Sequence, residues 1–352
     1  MADDREQQKL DQLETVLYGD VTPRLTSTGF EAISFVHDAL PELDIDNIDI
    51  STTFLSRKLS APILISSMTG GPDRAASINS RLAAVAQDLK IAFAVGSQRI
   101  AIETNHAAGF DKDLRKRAPD VPILANLGAS QIREAYGLDY ARRAVEMIEA
   151  DALIIHLNPL QEVLQSGGDR NWSGVVAKIG DVVAALHCPV VVKEIGCGLS
   201  ATLVLRLKEV GVKIIDVAGA GGTSWAAVVA DRAPTNRARQ TAETFREWGI
   251  PTATSLVNCR AAFPEAKIIA SGGMRNGLDA AKAIRLGADL IGFAGSILND
   301  TVESDERLRE RFETIIEELR ITAFCTGSSS LKALRSAQLL RVYESSSSVE
   351  YC

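Results

Sequence analysis

The chain has 352 residues, 46% hydrophobic, 24% charged and 5% aromatic, which is enough apolar material for one large core without a second domain. A net charge of −7 gives no general attraction for nucleic acid or an anionic membrane, so an anionic ligand must be held by local basic groups. The N-terminus is polar and no apolar run approaches the ~20 residues that span a bilayer, so no membrane insertion and a cytoplasmic location are expected. Five scattered cysteines, without a Cys-x-x-Cys pair or His/Cys ligand spacing, point away from zinc and from a disulfide framework.

Residues from Asp3 to Tyr18 read as a helix with Leu10, Leu13, Val16 and Leu17 as its apolar stripe. A loop follows to Phe30, and Phe30 to Phe54 is irregular apart from Asp44–Ile50, which alternates as a short exposed strand does. From Ala61 a rhythm begins, in which short Val/Ile/Leu-rich runs alternate with longer Ala-rich amphipathic segments. The runs are Pro62–Ser67, Ile91–Gly96, Val121–Asn126, Ala152–Leu157, Pro189–Glu194, Lys213–Ala218, Lys267–Ser271 and Leu290–Ala294. Helical candidates between them include Ala75–Leu89, Ala141–Glu149, Trp172–Leu186, Ala201–Val210 and Leu278–Leu286. Eight β-then-α units close a parallel (β/α)8 TIM barrel. A doubly wound open sheet is the competitor, but no Gly-x-Gly-x-x-Gly opens a helix after the first run. Two C-terminal helices, Glu303–Arg320 and Ser330–Arg341, precede a Ser-rich end. The expected division is an extension over the barrel mouth (1–60), the barrel (61–343) and a disordered tail (344–352).

The strand ends carry the chemistry, because in a barrel of this kind the site lies at their carboxyl side. Asp151–Glu162 is the most informative stretch: a buried run, stopped by Pro159, delivers His156, Asn158, Gln161 and Glu162 within seven positions. Ser66-Ser-Met-Thr-Gly-Gly71 ends the first run, where glycines let backbone approach a flat ligand. Gly96-Ser-Gln-Arg99 ends the second and Asn126 the third, with Arg99 suited to a phosphate oxygen. Lys193 ends the fifth, and a lysine in a barrel mouth needs an anion or electron-rich ring to face. Ser271-Gly-Gly-Met-Arg275 after the seventh run and Gly292-Phe-Ala-Gly295 on the eighth fit the phosphate site of such barrels, with Gly272, Gly273, Ala294 and Gly295 offering backbone N–H groups and Arg275 adding charge. Flavin mononucleotide suits the set, its phosphate there and its ring near Thr69, Ser97, Asn126, Lys193 and Thr223.

Met68-Thr-Gly-Gly71, His156-Leu-Asn-Pro-Leu-Gln-Glu162, Gly168-Asp-Arg170, Lys193-Glu-Ile-Gly196, Gly221-Gly-Thr-Ser-Trp225 and Ser271-Gly-Gly-Met-Arg275 together resemble type 2 isopentenyl diphosphate isomerase, over most of the chain from Gly29 to Arg341. The resemblance implies an isomerase using reduced FMN, Mg2+ and a NAD(P)H-type reductant on a prenyl diphosphate, assembled as a homo-tetramer or homo-octamer. It implies Met68, Thr69 and Gly70 among the flavin contacts. Glu162 would bind Mg2+, and Lys9, Arg99, His156, Asn158 and Trp225 would contact substrate. Gln161 would sit beside the alkene, and Lys193 would stabilise the reduced flavin. Two places depart from the family pattern. Its N-terminal Arg-Lys-x-x-His is Gln8-Lys9-Leu10-Asp11-Gln12 here, and Val229 stands where a carboxylate is usual. Those changes leave two alternatives: the same proton chemistry on a longer prenyl diphosphate, or a non-catalytic FMN-binding protein. A 2-hydroxy acid oxidoreductase would need a histidine after the sixth or seventh strand, and none follows His187.

Overall fold

All eight predicted runs form strands in the computed structural model, which describes residues 11–68, 72–105, 109–341 and 350–351. We number them β1 (Ile63–Ile65), β2 (Ala92–Ala94), β3 (Ile123–Gly128), β4 (Ala152–Leu157), β5 (Val190–Glu194), β6 (Ile214–Asp216), β7 (Lys267–Ala270) and β8 (Leu290–Phe293). Each pairs in parallel with the next, and β8 returns to β1, closing the barrel. The strands lack an alternating polar face because both of their faces are covered. Leu64, Ala94, Leu124, Ile154, Val191, Ile214, Ile269 and Leu290 fill the barrel interior. Their neighbours, such as Ile63, Phe93, Ile155, Val192 and Phe293, pack outward against the helices. Phe54 and Leu59, from the antiparallel pair Thr52–Phe54 and Arg57–Leu59, join the interior cluster.

The five named helical candidates also form, as Pro72–Leu89, Gly137–Ile148, Val175–Ala185, Ala201–Glu209 and Gly277–Arg285. The acidic and basic helix begins later than expected, at Asp305, because Ser304 breaks it from Leu298–Glu303 and caps it by accepting from the Arg307 N–H. Residues 11–18 are helical, and Leu13 is buried in the main core; the rest of the predicted N-terminal helix lies outside the described residues. No helix among the described residues is long and apolar enough to cross a membrane.

Two expectations are corrected. Asp44–Ile50 is not an exposed strand. The Asp44 carboxylate accepts from the Asp46 N–H and starts a 3-10 turn over Ile45–Asn47, after which Ile48 and Ile50 are buried. Ser330–Arg341 is not one helix. It makes a single turn, Leu331–Leu334, and then a strand, Leu339–Arg341, paired antiparallel with Ile33–Phe35. The strand's partner is some 300 residues away in sequence, so no local pattern announced it. Of the tail, Glu350 and Tyr351 pair with Arg341 and Leu340; the remainder lies outside the described residues.

Candidate functional site

One step of two residues beyond the apolar interior layer, every strand presents a different kind of group. Leu64 leads to Ser66, Ala94 to Gly96, Leu124 to Asn126, Ile154 to His156, Val191 to Lys193, Ile214 to Asp216, Ile269 to Ser271 and Leu290 to Gly292. Side chains of a strand repeat with period two, so these residues point into the barrel mouth. All of them except Asp216 line a cavity of about 800 Å3. Met68, Ser97, Arg99, Asn158, Gln161, Glu162, Thr223, Trp225, Gly272, Gly273, Arg275, Ala294 and Gly295 line the same cavity. Every predicted site residue within the described part of the chain is therefore on one wall system; Lys9, Thr69 and Gly70 fall outside it.

The β3–β4 corner is held by oriented amides. Asn126 Nδ2 donates to Ser67 Oγ at 2.7 Å and to the Val95 carbonyl at 3.3 Å. A carbonyl only accepts, so Asn126 Oδ1 is the atom facing His156 Nδ1 at 2.8 Å, and Nδ1 must carry the proton. After β4, Pro159 occupies the first turn of Pro159–Leu164, a position where its missing N–H is harmless. That turn brings Gln161 and Glu162 together. Asn158 Nδ2 donates to Gln161 Oε1 at 3.0 Å and to Glu162 Oε1 at 2.9 Å. The Asp169 N–H donates to Glu162 Oε2 at 2.8 Å. With its oxygen engaged, Gln161 has its NH2 end to offer. Asn158 Oδ1 is buried and accepts no hydrogen bond, an acceptor waiting for a donor or a cation. Arg99 is ion-paired with Glu103 at 2.9 Å and approaches Asp169 at 3.8 Å.

Opposite lies the glycine cradle. Gly272 and Gly273 take φ of +96° and +71°, and a Cβ on either would strike backbone of the Gly219–Gly221 loop. Thr252 Oγ1 donates to the Gly272 carbonyl and Ser296 Oγ to the Met274 carbonyl, both at 2.7 Å, which fixes the two loops against each other. Arg275 is tied to Asp279 at 2.9 Å and still reaches the cavity wall. Bare backbone beside a cation, at the carboxyl ends of β7 and β8, fits a phosphate monoester, and a cavity floor without a side chain at Gly292 fits a flat ring. The residues present therefore suit FMN. For Mg2+ the fit is narrower: no cluster of three His, Cys, Asp or Glu exists among the described residues. Glu162 could supply one carboxylate, with phosphate oxygens and water completing the shell.

Asp216 and the part of Ser271 in the site were missed from sequence. Lys193 Nζ lies 3.3 Å from Asp216 Oδ2 and donates to Ser271 Oγ at 3.1 Å, while Ser271 Oγ donates to Asp216 Oδ1 at 2.6 Å. The signal was available: Lys193 and Asp216 share inward parity and are direct partners in the β5–β6 register. The mouth is also walled by Gln12, Leu13, Val16 and Val21 of the N-terminal segment. Gln12 Nε2 donates to Gln165 Oε1 at 3.4 Å, a neutral contact across the rim. Val229 is half-buried and is not on the cavity wall.

Residues 155–341 match the model of the FMN-dependent dehydrogenase family. Among solved structures, a lactate oxidase from Pediococcus acidilactici is similar at a TM-score of 0.67 and 15% identity, covering 97% of this chain and 94% of that one. A mandelate oxidase with an FMN adduct is similar at 0.61 and 17%, covering 94% and 91%; likeness at this identity speaks to the fold alone. In sequence, the isopentenyl-diphosphate delta-isomerase of Cronobacter sakazakii is 55% identical over 96% of this chain and 97% of its own length. That of Xanthobacter autotrophicus is 56% identical over 94% and 96%, and that of Vibrio parahaemolyticus 48% over 93% and 97%. With identity at this level along almost the whole chain, and with the glycine cradle and the His156–Glu162 corner on one cavity, the chain belongs to the isopentenyl-diphosphate delta-isomerase family.

Proposed function

We infer that this chain interconverts isopentenyl and dimethylallyl diphosphate over FMN kept reduced by a NAD(P)H-type donor, with Mg2+ on the diphosphate. The observation that carries the reading is the placement of Gln161 and Glu162, locked together by Asn158, on the same cavity as Lys193 and the glycine cradle. The double-bond shift adds a proton to the terminal methylene and removes one from the methylene on the other side, so atoms and electrons balance without net redox. Positive charge develops meanwhile at the tertiary carbon. Reduced FMN, when bound, supplies an electron-rich ring that stabilises such a charge and exchanges protons.

The chain's own residues do the rest. Gly272, Gly273, Ala294, Gly295 and Arg275 would hold the cofactor phosphate, and Met68, Thr69, Gly70, Ser97, Asn126 and Thr223 the ring. Lys193, on the same cavity, would turn its ammonium toward the ring's electron-rich side. Glu162 would help hold Mg2+, which would offset the diphosphate's negative charge. Arg99, Lys9 and Asn158 would bind the diphosphate, as would His156 through Nε2, the nitrogen left when Nδ1 donates to Asn126. Gln161 would direct its NH2 group toward the reacting end and Trp225 would close the apolar side. Residence in the cytoplasm and assembly as a tetramer or octamer belong to the same reading.

The test is anaerobic turnover with reduced FMN and Mg2+, following the double bond in isopentenyl diphosphate. Conversion to the dimethylallyl isomer is expected, reduced at least a hundredfold by Gln161→Ala, a loss of about 2.7 kcal/mol in transition-state stabilisation. A second reading, the same shift in a longer prenyl diphosphate, is favoured by the apolar Leu13 and Val16 on the cavity wall and the neutral Gln12–Gln165 contact. Turnover of geranyl diphosphate with none of the five-carbon substrate would replace the first reading with the second.

A further inference from the structure

We propose that Asp216 is a positioning residue that competes with the bound cofactor for Lys193, and thereby sets the charge of the barrel floor. The inference rests on the FMN reading above. Asp216 is fully buried, and no part of it lines the cavity, whereas Lys193 does. Its Oδ1 accepts from Ser271 and, at 3.3 Å, from the Ala218 N–H, but its Oδ2 accepts no hydrogen bond and lies 3.3 Å from the ammonium. A buried carboxylate is tolerated when it is paired and hydrogen-bonded, and here half of that compensation is an ion pair with a residue that also faces the ligand.

The geometry gives the ammonium two claims to answer. It carries three N–H donors; one goes to Ser271 Oγ, and Asp216 lies on the same side. Lys193 also lines the cavity. Gly292 lines the same cavity and admits no side chain, since a Cβ there would press on Ser66 Oγ and lie 2.8 Å from Ser271 Cβ. An electron-rich ring settling on this floor meets a cation that is already half neutralised. Asp216 therefore weakens the preference of the site for the reduced, more anionic cofactor over the oxidised one. It also keeps the empty floor stable.

Those two effects have opposite signs in one variant, which separates this role from ordinary scaffolding. Asp216→Asn keeps the shape and the Ser271 bond, and removes the charge. It should lower the melting temperature of the flavin-free protein, because the buried ammonium loses its counter-ion. It should also shift the ratio of reduced to oxidised FMN affinity at least tenfold toward the reduced form, which for a two-electron couple raises the potential by about 30 mV. Lys193→Met with Asp216→Asn leaves neither charge uncompensated and should melt above either single variant. Ser271→Ala, a change without charge, should move the potential far less than Asp216→Asn does.

The measurements are thermal unfolding of flavin-free protein and reductive titration of the FMN-loaded chain against a reference dye. An unchanged or lowered potential in Asp216→Asn, with FMN bound normally, overturns this inference alone. A double variant less stable than both singles overturns the pairing. Failure of FMN to bind the unaltered chain overturns the cofactor reading and this inference with it.

Discussion

Glu194 and Glu247 show how one side-chain pattern is resolved differently by its surroundings. Each carboxylate accepts from three consecutive backbone N–H groups: Glu194 from Ile195, Gly196 and Cys197, and Glu247 from Arg24, Leu25 and Thr26. In Glu194 burial wins over those donors and pushes the carboxyl up to about 7. At Glu247 burial also acts upward, but the donors together outweigh it and hold the group at about 2. A folded-state value raised above the ordinary 4.5 means that Glu194 favours the fold most at low pH and that this contribution fades as pH rises through about 7. Melting followed from about pH 4.5 to about 7 should therefore fall more steeply with pH in the unaltered protein than in Glu194→Gln. Equal slopes would mean that Glu194 is ionised throughout. Most of the site was legible at this scale because the reactive side chains are uncommon at strand ends. Asp216 was not, since an aspartate in an apolar run reveals its role only once its facing residue is known.

Among the elements, the N-terminal helix supplies Gln12, Leu13 and Val16 to the cavity wall. Leu13 is almost wholly buried, and Thr15 donates to Asp231 at 3.2 Å while Arg232 pairs with Asp11 at 2.6 Å. The Ser224 N–H donates to the Val21 carbonyl at 2.7 Å, stitching the following loop to the helix Trp225–Asp231. The helix itself meets Gln165 and Asp231, whereas it is Thr28 of the loop after it that abuts Gly273. Leu13→Ala should loosen it at a cost of about 2–5 kcal/mol, limited by local detachment of the helix. KM for the diphosphate should rise several-fold while FMN affinity stays within twofold, as steady-state kinetics and flavin fluorescence would report. A parallel loss of FMN affinity would show instead that the helix supports the cradle. Amphipathic periodicity was sufficient to predict this helix. It was not sufficient for Leu339–Arg341, a segment with helical composition that becomes a strand because Ile33–Phe35 offers it an unpaired edge.

For the whole molecule, the loops after β6, β7 and β8 are fixed against one another, so a ligand held there is expected to add to stability. Gly272 packs against the Gly219 backbone, and Thr252, the first residue of the helix Thr252–Ala262, donates to the Ala220 and Gly272 carbonyls of the two loops. FMN at a hundred times its Kd should stabilise the native barrel by about 2.7 kcal/mol, seen as a rise in melting temperature. Gly272→Ala, with a side chain forced to a φ of +96°, should lower the melting temperature and abolish most of that rise. A full flavin-dependent rise in this variant would place the phosphate elsewhere.

By itself the sequence determined the repeat of eight β-then-α units, the polar groups at the strand ends and the family to which they belong. These are local properties: an apolar run buried on both faces, a proline that ends it, and glycines where a side chain cannot stand. Tertiary structure alone decided that Lys193, Asp216 and Ser271 form one buried network, that Gln12 reaches Gln165, and that the chain's end region pairs with its beginning. Each of those contacts joins residues from separate elements. Barrel closure sets their distances, and no window of neighbouring residues contains that information.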